Sequence, residues 1–119
     1  MVYITHKDKE ILRLISKYNQ NKNAKILDVG AGEKPLKRFL PESIKYLSLD
    51  IDPKRKPDIS ANLEEKLPKK NEEYDFVVAS EVLEHTIYPK KIVKELKRIT
   101  KEDGFIIISM PNEYNFYLR

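Results

Sequence analysis

Asp28, Gly30 and Gly32 fall in the stretch ILDVGAGEKP, Ile26 to Pro35, where an apolar run leaves through two glycines and reaches proline three residues later. Glycine allows backbone conformations closed to other residues, so this bend either brings N–H groups close to a ligand or is simply a tight turn. Asp50 follows twenty positions after Gly30, near the end of YLSLDIDP. At that spacing a carboxylate can accept hydrogen bonds from ribose hydroxyls. A third apolar run, YDFVVAS, ends in Ser80 and Glu81. In a helix, Glu81, Glu84 and His85 would share one face and could converge on a divalent ion, although the only other histidine is His6.

These residues act together only if the ends of the three runs lie along one rim. The periodicity predicts an N-terminal helix over roughly residues 5 to 19, opened by the capping box Thr5-His6-Lys7-Asp8. Strands are expected at Lys25 to Val29, Lys45 to Ile51, Tyr74 to Ser80 and Phe105 to Met110, with a short edge strand at Asp58 to Ala61. Leu36, Phe39 and Leu40 suggest a brief helix closed by Pro41. A longer helix is expected from about Glu81 or Tyr88, burying Ile92, Val93, Leu96 and Ile99 and ending at Asp103-Gly104. Strands alternating with helices predict an α/β fold: a mostly parallel open sheet of about five strands with helices on both faces. Ligands of such sheets sit beyond the carboxyl ends of the strands.

Two cofactors suit this constellation, a nicotinamide dinucleotide and S-adenosylmethionine. Pro35 stands where a dinucleotide fingerprint needs a third glycine or alanine, which weighs against the first. No phosphate-binding G-x-x-x-x-G-K-[ST] loop occurs. S-adenosylmethionine carries no phosphate, and its ammonium favours a nearby carboxylate.

The segments ILDVGAGEKPL, YLSLDIDP, NLEEKLP, YDFVVASEVLEH and GFIIISMPN, in this order and spacing, resemble the class I S-adenosylmethionine-dependent methyltransferases, especially those related to ubiquinone biosynthesis. The resemblance runs from about Lys25 to Asn112 within a single domain of residues 1 to 119, and implies a Rossmann-like sheet shortened after its fifth strand. It implies that Asp28, Gly30, Ala31 and Gly32 surround the methionine part and that Asp50 holds the ribose. Ile51, Asn62 and Leu63 then flank adenine, while Ser80 and Glu81 line the pocket. His85 is the one candidate general base, and no metal site is assigned, although some relatives use an E-x-x-E-H cluster for one. Lys34, where relatives carry a small residue, and Asn62, where they more often carry aspartate, are departures. The implied activity is methyl transfer to an acceptor, with a small molecule favoured. The alternative is a non-catalytic cofactor-binding or regulatory module that needs a partner chain.

Composition narrows the remaining classes. Cysteine is absent, which removes thiolate chemistry and cysteine-based zinc sites. The net charge of +4 is scattered, so it reads as a solvated surface rather than a nucleic-acid interface. No apolar run is long enough to cross a bilayer and no signal-peptide core opens the chain, so no membrane partner and a cytoplasmic location are expected. A last strand at the sheet edge invites pairing, so a second copy or a partner protein is expected to cover it unless the chain is a shortened form of the domain. Tyr114, Phe116 and Tyr117 are expected to cover part of the sheet rather than line an acceptor site.

Overall fold

The computed structural model describes residues 6–19 and 23–109, and within them five parallel strands form one sheet. The strands are β1 (Lys25–Val29), β2 (Lys45–Asp50), β3 (Ile59–Ser60), β4 (Tyr74–Ser80) and β5 (Thr100–Ser109), ordered β3-β2-β1-β4-β5. Because the chain starts in the middle and winds outward both ways, its direction reverses between β1 and β4. A crevice opens at such a point, outside the carboxyl ends of the strands.

Among the described residues each face of the sheet carries one α-helix. Side chains alternate along a strand, so Ile26 on β1 packs with Phe76, Val78 and Ile107 beneath helix α1 (His6–Tyr18), which contributes Ile11, Leu14 and Ile15. Leu27 and Val29 face the other way and pack with Val77, Ala79, Ile106 and Ile108. That face is covered by helix α2 (Pro89–Ile99) through Ile92, Leu96 and Ile99. Burial on both faces explains why the strands read as near-continuous apolar runs.

Several boundaries differ from the sequence expectations. The brief helix is a 3-10 helix, Pro35–Phe39, and Leu40 is already extended. Of the two starts expected for the longer helix, Glu81 is not used, since a one-turn 3-10 helix, Leu83–His85, comes first; α2 starts at Pro89 with Tyr88 as its N-cap, in line with the other. Nor does Asp103-Gly104 end α2. The helix stops at Ile99, where the Thr100 hydroxyl donates to the Leu96 carbonyl at 2.6 Å, and Thr100 is already paired with Tyr74 in the sheet. Asp103 and Gly104 lie inside β5, at an irregularity between the Tyr74↔Thr100 and Phe76↔Phe105 pairs. A Cβ at Gly104 would lie 2.7 Å from the Asp75 carbonyl, so glycine there serves close packing of two strands. Thr5, Met110 and the aromatic residues Tyr114, Phe116 and Tyr117 lie outside the described residues.

Two polar ties fix loops that flank the sheet. Asp58 accepts the Ser48 backbone N–H at 2.8 Å, bringing β3 against β2. Arg98 of α2 donates to the carbonyls of Lys69 and Leu67 and to Asn71, while Glu95 accepts the Leu67 N–H at 2.6 Å. Hydrogen bonding from Arg98 holds the Glu95 carboxyl below the usual carboxylate range. The loop that follows the 61–64 segment is thereby fastened to α2.

Candidate functional site

The glycine bend and the second strand meet directly. Gly30 N–H donates to the Leu49 carbonyl at 2.7 Å, which carries the β1–β2 ladder one residue beyond the end of β1. Gly32 N–H points to Asp50 Oδ2 at 3.4 Å, and Asp50 Oδ1 accepts the Asp52 N–H at 3.0 Å. The carboxylate is thus held at the rim, beside the bend. Both glycines have positive φ, +66° at Gly30 and +57° at Gly32. They serve different needs. A Cβ on Gly30 would lie 2.5 Å from Val82 Cγ2, whereas one on Gly32 would meet nothing within 4 Å.

A crevice of about 210 Å³ opens there, lined by Gly30, Leu49, Asp50 and Ile51 from the sheet rim. Ala61, Asn62, Leu63 and Glu64 form a second wall, with His85 and Thr86 beside them. Six residues singled out from sequence, Gly30, Asp50, Ile51, Asn62, Leu63 and His85, therefore share one cavity. Ile51 is 63% exposed, an apolar shelf open to a flat partner. The Asn62 side-chain oxygen accepts the Glu64 N–H at 2.9 Å, so its amide nitrogen remains for other contacts.

Five of the expected residues lie outside that lining. Gly32 adjoins it through its N–H to Asp50, and the Ala31 carbonyl is taken by the Lys34 N–H at 2.9 Å. Lys34, the departure noted in sequence, has φ of 59° as the chain turns into Pro35. Ser80 and Ser109 share a hydroxyl contact at 3.0 Å across β4 and β5. Glu81, also at positive φ, pairs with Lys7 of α1.

Asp28 alternates with Leu27 and Val29 and so occupies the α1 face of the sheet. It is 3% exposed, and its Oδ2 accepts the Tyr46 hydroxyl at 2.6 Å. Burial pushes its carboxyl up to about 7; the Tyr46 hydrogen bond opposes this and the charge of Asp8 adds to it. The same environment raises the Tyr46 phenol, with burial as the main cause.

Glu81, Glu84 and His85 do not gather as a set, since Glu81 turns to Lys7 while Glu84 Oε1 lies 3.5 Å from His85 Nε2. Among the described residues no group of three His, Cys, Asp or Glu side chains converges in a way that could hold a metal ion.

Sequence reasoning missed Leu49, Ala61, Glu64 and Thr86. Glu64 has the clearest role. Its Oε1 accepts the Ile87 N–H at 2.9 Å, which ties two walls of the crevice together, while its Oε2 is buried without a hydrogen-bond partner among the described residues. The available signal was its place two residues after Asn62, where an asparagine side chain folds back on the backbone.

Comparison with known proteins agrees with this architecture. A segment of 52 residues is 44% identical to an uncharacterized protein of Methanocaldococcus jannaschii, covering 44% of this chain and 25% of that protein. The fold is similar to that of a SAM dependent methyltransferase from Aquifex aeolicus, with TM-score 0.69 and 17% identity, over 90% of this chain and 72% of that one. It is also similar to a candidate methyltransferase from Bacillus halodurans, with TM-score 0.71 and 17% identity, over 84% of this chain and 50% of that one. The chain thus spans a quarter of the curated relative and half of the Bacillus protein. A family model described as a methyltransferase domain matches residues 3–118. With nearly its whole length accounted for by that model and its glycine bend seated against Asp50, the chain belongs to the methyltransferase domain family.

Proposed function

We propose that this chain binds S-adenosylmethionine in the crevice between β2, the 61–64 segment and the His85–Thr86 segment, and passes its methyl group to a small-molecule acceptor. One observation carries the reading: the Asp50 carboxylate is held beside the Gly30–Gly32 bend at the rim of a cavity with an exposed apolar shelf at Ile51. A ribose hydroxyl needs an acceptor, and Asp50 Oδ2, only distantly approached by the Gly32 N–H, offers one, while Oδ1, which also accepts the Asp52 N–H, keeps a second lone pair. Ile51 and Leu63 would hold the flat, apolar face of adenine, and the Asn62 amide nitrogen would be available to its polar edge. Ligand pockets usually hold roughly 300–1,000 Å³. The smaller crevice here would hold the nucleoside part, with the methionine part left to the glycine bend.

The reaction is an in-line displacement at an already activated sulfonium. The acceptor's lone pair forms the new bond to the methyl carbon as the carbon–sulfur bond breaks, leaving a neutral thioether. Alignment and exclusion of water supply most of the catalysis. A base is needed only where the acceptor must lose a proton, and His85 is the imidazole on the cavity wall that could take it.

Titration calorimetry with S-adenosylmethionine, S-adenosylhomocysteine and NAD tests the binding step. Saturable binding of the first two, with none for NAD, is expected; binding of NAD alone would overturn the reading. Transfer of a labelled methyl group to small molecules of a cell extract then distinguishes an enzyme from a module that binds without turnover.

A further inference from the structure

We propose that the outer face of α2, together with the exposed Ile87–Tyr88 pair at its foot, docks this domain on an anionic phospholipid surface. In α2, Ile92, Leu96 and Ile99 point into the core, and the opposite side presents Lys90, Lys91 and Lys94, all exposed. No acidic side chain among the described residues pairs with these three lysines. The one glutamate of the helix, Glu95, is committed to Arg98 and to the Leu67 N–H. The first turn holds no acidic residue, so the positive end of the helix dipole adds to the lysine charge rather than being offset. Lys90, Lys91 and Lys94 thus form a cationic patch that no carboxylate among the described residues pairs with, and its complement is an extended anionic surface.

The neighbouring apolar residues decide which surface. Ile87 is 74% exposed and Tyr88 63%, in consecutive positions immediately before the helix. Phosphates of a nucleic acid would satisfy the lysines but offer no apolar phase for an isoleucine. A lipid interface offers both, since aliphatic chains enter the acyl boundary and tyrosine settles at headgroup level. Such docking needs no spanning segment, and no helix among the described residues is long and apolar enough to be one. It would also place the crevice near the bilayer, because His85 and Thr86 of its wall directly precede Ile87.

Co-sedimentation of the whole chain with vesicles of phosphatidylcholine alone, or containing about a third phosphatidylserine, tests the proposal at low and physiological salt. Each lysine near an anionic surface contributes roughly fivefold to partitioning. Binding to the phosphatidylserine vesicles is therefore expected to fall about a hundredfold in the Lys90→Gln/Lys91→Gln/Lys94→Gln variant and to weaken with salt. An Ile87→Ser/Tyr88→Ser variant is expected to bind several-fold less while keeping the salt dependence. All five side chains are exposed, and unchanged thermal unfolding of each variant verifies that the fold is kept. No binding to anionic vesicles overturns the proposal, as does binding indifferent to the lysines. Binding of poly(U) through the same lysines without vesicle binding overturns it in favour of a nucleic acid. Calorimetry with S-adenosylmethionine without vesicles keeps this outcome separate from that of the proposed methyl transfer.

Discussion

Gly32 N–H reaches the Asp50 carboxylate at 3.4 Å, so the bend after β1 and the end of β2 form one surface. The long distance leaves Oδ2 with capacity for a better donor, while Oδ1 is engaged by the Asp52 N–H at 3.0 Å. Asp50→Asn preserves shape and one acceptor oxygen but removes the charge and the second acceptor. Affinity for S-adenosylhomocysteine is expected to fall about tenfold to a hundredfold, in line with loss of a charge-assisted hydrogen bond worth roughly 1.5–3 kcal/mol. The thermal midpoint should move by only a few degrees. Unchanged affinity in calorimetry would remove Asp50 from the site.

The two glycines of the bend should differ when replaced by alanine. Both substitutions place a side chain at positive φ, at a cost of about 1 kcal/mol. Gly30→Ala also drives its Cβ to 2.5 Å from Val82 Cγ2, and Val82 is a stiff β-branched residue packed on the core. A total loss of about 2–4 kcal/mol is expected for Gly30→Ala, against about 1 kcal/mol for Gly32→Ala, where the added carbon meets open space. Urea titrations of the two variants check the order; equal losses would mean that Val82 yields freely.

The parts of the fold legible in sequence were those written by burial. β1 and β4 have the predicted bounds because both faces are covered and the apolar runs end where burial ends. Asp103-Gly104 misled because glycine after a helical pattern usually marks a helix end. Here Thr100 had already left the helix to pair with Tyr74, and Gly104 answers to the neighbouring Asp75 carbonyl, a contact between residues far apart in sequence. Asp28 shows the same limit within the site. Its position in the motif was visible, but strand alternation turns its side chain toward α1 and Tyr46, while the crevice opens elsewhere. Glu64 was overlooked because its partner, Ile87 N–H, lies 23 residues away.

Glu64 should prove to be a link between the crevice walls. Glu64→Ala leaves the Ile87 N–H without its acceptor and frees the 61–64 segment from the 86–87 segment. A loss of about 1 kcal/mol in stability is expected, with at least a threefold loss in affinity for S-adenosylhomocysteine. Glu64→Gln keeps the carbonyl acceptor for Ile87 and should retain the stability. If Glu64→Gln nevertheless weakens binding as much as Glu64→Ala, the unpaired Oε2 is itself an acceptor for the ligand; calorimetry on the pair tells the two roles apart.

The buried Asp28 carboxyl makes stability depend on pH in a direction opposite to that of an ion-paired carboxylate. Burial raises its folded-state pKa to about 7, the Tyr46 hydrogen bond notwithstanding, whereas in the unfolded chain it titrates near its ordinary value of 3.8. Between these values the folded state binds the proton more tightly, so this group's contribution is complete below about pH 4 and is lost as pH rises toward 7. The loss is on the order of 4 kcal/mol by linkage. Asp28→Asn is neutral at every pH and can still accept the 2.6 Å hydrogen bond from the Tyr46 hydroxyl. The variant is therefore expected to match the parent near pH 4 and to exceed it by a few kcal/mol at pH 8, the gap opening between pH 4 and 7. Tyr46→Phe removes a hydrogen bond that favours the charged form and should widen the parent's pH-dependent loss. Urea unfolding of the three proteins across this range decides the matter: a parent and Asp28→Asn that track each other from pH 4 to 8 would mean that water reaches Asp28 and that its carboxyl titrates as an exposed one.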